Sequence, residues 1–184
     1  MSFFDLFKRK STSPESAEFF SEMLSAVSYR PKMDKILTSR AITVAPSDTN
    51  RLFKEAAEVT YFIISESLRR SGRPVDSLSD KERGVVGILT MVVCDHLSRV
   101  AAVSFEMTTA AVFLSLFSPA IEADAAGRLL NESAENFNQL SRDPRTAHGI
   151  VQYGKLVAKF FDTNEDVYLK GLAALTWTWL KDNS

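Results

Sequence analysis

The chain has 184 residues, enough for one domain with a sizeable core, whereas two domains would be cramped. Apolar residues make up 45% of it and charged residues 24%, as in an ordinary globular protein. Lys and Arg number 22 against 23 Asp and Glu. This balance argues against non-specific binding to nucleic acid, which needs a net basic surface.

Residues 1–10 form a short amphipathic segment. It combines three phenylalanines with three cations, which are Phe3, Phe4, Phe7, Lys8, Arg9 and Lys10. The basic residues follow the apolar ones and no long apolar region comes after them, which is unlike a secretory signal. We expect a cytoplasmic protein whose first segment either docks on the core or makes a weak peripheral contact with the inner membrane. The segment resembles the leading segments of some bacterial proteins that visit the inner membrane.

Helix signals recur along the rest of the chain, and hairpin signals are absent. A capping side chain followed by a first-turn proline occurs at Ser13-Pro14, Ser118-Pro119 and Asp143-Pro144. Each pair predicts a helix that begins at its proline. We therefore predict a single all-α domain over residues 14–184, a globular bundle of about seven or eight helices.

The centre of this bundle is predicted to be the helix over about residues 80–99. Residues 84–94 are all uncharged and are too few to span a bilayer. Ser79 followed by Glu82 is the pattern of a capping box and predicts a helix start at Asp80. A helix that is apolar on nearly every side is buried. Residues 107–121 also carry no charge, so the helix there is predicted to be buried as well.

A long helix, capped by Ser47 or Asp48, is predicted to run to about Ser71, where Gly72 and Pro74 close it. Its outer face is expected to carry Lys54, Glu55, Glu58 and Glu66. Arg69, Arg70 and Arg73 cluster at its C-terminal end. These cations suit either the negative end of the helix dipole or an acidic partner.

Cys94 and His96 are the residues of the sequence that most suggest a catalytic site. Cys94 is the single cysteine, and its apolar neighbours predict an inert buried thiol. On a helical projection His96 falls on the most apolar side and Cys94 points roughly opposite, so the two cannot act together as a thiolate–imidazole pair. We expect a buried histidine that is bonded to a neighbouring carbonyl or carboxylate.

Signatures of catalysis are missing from the sequence. It contains no Glu-x-x-His metal motif, no glycine-rich phosphate loop and no Gly-x-Ser-x-Gly elbow. We therefore assign no catalytic, metal-binding or cofactor-binding residue and expect no cofactor. The protein is more readily interpreted as a non-enzyme.

Three functions remain open. The first is a protein–protein interaction module, such as a regulator, an adaptor or a toxin-neutralising immunity-type partner, in a bacterial-type cytoplasm. Its partner is an unidentified protein and not nucleic acid. Trp177 points away from the inward face of the last helix, and exposed aromatics are typical of interface hot spots. The phenylalanines of residues 1–10 are the other candidate anchors.

The second function is a binding protein with an internal pocket for an apolar small ligand, with His96, Glu106 and Tyr61 as its polar groups. For Glu106, the alternative is a first-turn position where free backbone N–H groups satisfy its carboxylate. The third is a membrane-active bundle that hides an apolar hairpin, residues 84–121, and releases it into lipid. In its central apolar helix pair alone, this hairpin resembles the pore-forming colicin domains.

Overall fold

The computed structural model describes residues 31–42 and 51–182, and all regular secondary structure within these ranges is helical. Residues 1–10, with their six candidate contact residues, and the helix predicted from Pro14 lie outside them. Helix α1 is described over residues 31–39. The others are α2 (Arg51–Arg70), a short 3₁₀ helix (Val75–Ser77), α3 (Asp80–Ala101), α4 (Phe105–Phe117), α5 (Ala123–Arg142), α6 (Pro144–Thr163) and α7 (Asp166–Asp182). The all-α prediction is confirmed.

Helix α3 is the central post of the bundle. It packs against α2 and against each of the helices from α4 to α7. Every residue from Val85 to Cys94 is buried, as the uninterrupted apolar run predicted. Among the described helices α3 alone is long and apolar enough to cross a membrane, but 72% of its apolar window is buried within the bundle.

Both ends of α3 are defined by local interactions. At the start, the Ser79 hydroxyl accepts from the Glu82 backbone N–H, and a Glu82 carboxylate oxygen accepts from the Ser79 N–H at 2.8 Å. This is the predicted capping box, and each side chain satisfies a backbone donor that the helix leaves free. At the other end Ala102 adopts a left-handed conformation (φ 51°). Ser104 then caps α4, so α3 and α4 are separate helices.

Three details of the sequence interpretation were wrong. Helix α5 begins at Ala123 and not at Pro119, because the backbone N–H groups of Ala120 and Ile121 bond back to the Phe117 carbonyl and extend the end of α4. Glu55 is buried rather than outward-facing, because α2 is covered by α3, α4 and α7 together. Helix α4 is not fully buried, since it lies at the edge of the bundle and exposes Met107 and Leu114.

Helices α3 and α5 approach closely at Gly87. An added Cβ at this position would lie 2.1 Å from the Ser133 Oγ and 2.9 Å from the Ser133 Cβ. Ser133 is itself fully buried, so its side chain cannot move aside into solvent. The missing side chain of Gly87 therefore sets the spacing of the two helices.

We expect Gly87→Ala to lower the free energy of unfolding by about 1–3 kcal/mol, because overpacking outweighs the better helix propensity of alanine. Gly84→Ala is the matched control in the same helix, since its Cβ would meet nothing within 4 Å. That variant should be more stable than the wild type by about 0.5–1 kcal/mol. Urea unfolding followed by circular dichroism measures both. Equal effects of the two substitutions would contradict the close approach.

Candidate functional site

The candidate site is a surface cleft of about 820 Å³ between the C-terminal end of α2 and the outer side of α7, here called the Trp177 cleft. Its lining residues are Arg69, Arg70, Ser71, Lys170, Ala173, Ala174, Trp177 and Thr178. The α7 members recur every three or four residues and so form one stripe along the helix. The adjacent stripe of α7, with Leu169, Leu172, Thr176 and Leu180, is buried, and Ala173 at the border of the two stripes is buried as well.

The shape of the cleft follows from the sizes of its side chains. Ala173 and Ala174 line it with small side chains, here called the alanine floor, and the large side chain of Trp177 lines it beside them. Trp177 is 49% exposed, as expected from its position on the helical projection. The Lys181 ammonium lies 5.1 Å from the centre of the indole ring, a cation–π contact that favours an outward position of the ring.

An ion-pair network holds the two walls of the cleft together. The Arg70 Nε donates to Glu66 on its own helix, and its Nη2 donates to Asp166 at the start of α7, each at 2.7 Å. Arg69 donates twice to the same Glu66 carboxylate, at 2.8 and 2.7 Å. Asp166 is also 3.7 Å from Arg40 and 3.6 Å from Lys170. Arg70 thus joins residues far apart in sequence and fixes α7 against α2.

Both carboxyl groups of the network are strongly acidic. Hydrogen bonds from Arg69, and then from Arg70, lower the pKa of Glu66 to about 2, although its partial burial opposes the shift. A hydrogen bond from Arg70 lowers the pKa of Asp166 to about 2. The same contacts raise the pKa of Arg70. At neutral pH both carboxyl groups and Arg70 are therefore charged. The third arginine of the cluster, Arg73, pairs with Glu82 at the start of α3.

We expect acid to weaken the fold through this network. The folded pKa values of Glu66 and Asp166 lie below the ordinary values of 4.5 and 3.8, so their stabilisation is complete above those values. It is lost as pH falls from about 5 towards 2, because the unfolded chain then binds more protons. Thermal unfolding between pH 7 and pH 3 measures this loss. The double variant Glu66→Gln/Asp166→Asn should have a lower midpoint at pH 7 and a flatter pH dependence.

The control for that measurement is Asp76→Asn/Glu135→Gln. These carboxylates are exposed and make no ion pair within residues 31–42 and 51–182. The control should keep the slope of the wild type. If both double variants had the same slope as the wild type, the network would not account for the acid sensitivity.

Cys94 lies in the core, as predicted. Its side chain is fully buried, and burial raises the pKa of the thiol to about 12, although contacts with the Thr109 and Thr60 hydroxyls act in the opposite direction. The thiolate is the reactive form of cysteine. The thiol is therefore both inaccessible and protonated at neutral pH.

In the native protein Cys94 should not react with Ellman's reagent at pH 8 within the time in which free cysteine reacts completely. After unfolding in guanidinium chloride, one thiol per chain should react at once. No control variant is needed, because the chain contains a single cysteine. Rapid reaction of the native protein would contradict the closed core around α3.

His96 is half-buried rather than deeply buried, because it lies with Asp95 and Arg99 on the side of α3 that other helices do not cover fully. Its ring stands edge-on to Phe161, with the ring centres 6.1 Å apart. The expected bond to a carbonyl or carboxylate is not made within the part of the chain that the structure describes. Burial lowers the pKa of His96, and the nearby Asp162 and Asp95 oppose this shift.

Glu106 and Tyr61 occupy different places. Glu106 lies in the first turn of α4, where its carboxylate accepts from the Ser104 hydroxyl at 3.0 Å. Tyr61 is 38% exposed and lines a shallow cleft of about 210 Å³ between α2 and α4. The other lining residues are Ala57, Glu58, Ala111, Val112 and Ser115, so neither His96 nor Glu106 reaches this cleft. A pocket that uses all three polar groups remains a prediction.

Sequence reasoning identified Trp177 but missed its surroundings. One face of α7 carries a stripe spaced by three or four residues, made up of Lys170, Ala173, Trp177 and Lys181. This spacing would have predicted a basic face with a small side chain at Ala173. The opposing wall from α2 has no such local signal.

No group of three or more metal-binding side chains occurs within residues 31–42 and 51–182. No protein-family model, curated protein or solved structure matches the chain.

Proposed function

We propose that this protein is a non-enzymatic protein–protein interaction module, a regulator, adaptor or immunity-type partner in the cytoplasm, and that it binds its partner through the Trp177 cleft. The observation that supports this is a half-exposed tryptophan beside a concave cleft. Tryptophan is strongly enriched among the residues that dominate binding energy.

The energetics favour Trp177 as an anchor. A buried aromatic side chain removes roughly 150–250 Å² from water, and about half of this surface is still exposed on Trp177. Covering it would contribute about 2–3 kcal/mol at 25 cal/mol per Å². Met107 and Val167 are as exposed as Trp177, but Trp177 differs from them in bordering a cleft with an alanine floor. A partner side chain can enter there and cover the indole.

The test is a quantitative pull-down from lysate of the source organism, with full-length wild-type protein and Trp177→Ala. Because Trp177 is outside the core, the variant should keep the thermal midpoint of the wild type. We expect one stoichiometric partner to be captured by the wild type and lost by the variant. Titration of the purified partner should then show an affinity at least about tenfold weaker for Trp177→Ala.

Met107→Ala is the matched control, since Met107 is 52% exposed on α4, away from the cleft. It should capture the partner as well as the wild type does. Equal retention of every captured protein by Trp177→Ala would contradict the proposed contact surface.

A form that lacks residues 1–10 belongs in the same experiment. If the full-length protein is recovered with membranes and the truncated form is not, the function lies at the membrane surface.

A further inference from the structure

We infer that the partner segment in the Trp177 cleft is acidic and carries one apolar side chain that packs on the alanine floor. This inference rests on the proposed function and names the chemistry of the partner. The observations behind it are the charge of the cleft, its unused hydrogen-bond donors and its concave shape.

The charge around the cleft is positive although the whole chain has a net charge of −1. The network contains the four cations Arg40, Arg69, Arg70 and Lys170 against the two carboxylates of Glu66 and Asp166, which leaves +2. Lys181 adds a further charge beside the indole. The C-terminal end of α2 contributes only about −0.5 of an elementary charge. The residues that line the cleft include three cations and no carboxylate.

Two of these cations have hydrogen-bond donors that the network does not use. The side chains of Arg69 and Lys170 are 70% and 72% exposed. A guanidinium has five N–H donors, and Arg69 uses two of them for Glu66. The Lys170 ammonium stands 3.6 Å from Asp166, beyond a good hydrogen bond. A carboxylate from a partner can therefore bond to either residue while the network stays intact.

The length of the cleft suits a protein segment. The α7 wall runs from Lys170 to Thr178, roughly 12 Å along the helix axis. That length matches about two turns of a partner helix, which can lay one apolar side chain into the groove and one carboxylate beside Arg69 or Lys170.

The test is selection from a random peptide library displayed on phage, with full-length protein as the bait. We expect enriched peptides to carry at least two Asp or Glu residues around an aromatic or aliphatic residue. The best synthetic peptide is then titrated against wild type, Arg69→Glu/Lys170→Glu and Trp177→Ala. Each variant should weaken binding by about tenfold or more, and binding to the wild type should weaken with added salt.

Lys159→Glu is the control for the charge change, because Lys159 is exposed on α6, away from the cleft. It should bind the peptide as the wild type does. Enriched peptides that need Trp177 but contain no acids would overturn this inference and leave the proposed contact surface in place. A failure to enrich any peptide that needs Trp177 would overturn both. Phosphatidylserine vesicles that bind through Trp177, Arg69 and Lys170 would instead identify an anionic membrane.

Discussion

The need to bury α3 on every side governs the whole structure. A helix that is apolar around its full circumference is stable in water only when other elements surround it. Five helices meet this need by packing against α3. At Gly87, where α5 comes close, the glycine lacks the side chain that would hold α5 away. The capping box at Ser79 and Glu82 fixes where this central helix begins, and thereby the register of every contact along it.

The same arrangement explains where a binding surface can arise. The core is filled by α3, and the Trp177 cleft lies between two of the helices that pack around it. Arg70 is the residue that makes the Trp177 cleft a defined shape, because it bonds to α2 and α7 at once. The surplus positive charge that this network leaves is then presented at the mouth of the cleft. In the proposed function, structural ion pairing and partner recognition use the same side chains.

Local signals predicted the parts of the fold that depend on neighbours in sequence. The apolar run from Val85 to Cys94 and the Ser79–Glu82 spacing were sufficient for α3. The start of α5 was misplaced because the end of α4 takes up Pro119 in a turn, which depends on backbone bonds to Phe117. The cleft was not predictable as a unit. Its central contact, between Arg70 and Asp166, joins residues 96 positions apart. The sequence pattern of either helix alone does not indicate that the other helix packs against it.

The two tryptophans lie two residues apart in α7 but in different surroundings. Trp179 lies against Gly149 of α6, at 2.7 Å from where a Cβ on that glycine would stand, whereas Trp177 faces solvent. Intrinsic fluorescence should therefore contain a blue component from Trp179 and a red component from Trp177. The first reports whether α6 and α7 are docked, and the second reports whether the cleft is occupied. One spectrum can then separate unfolding from binding without an added label.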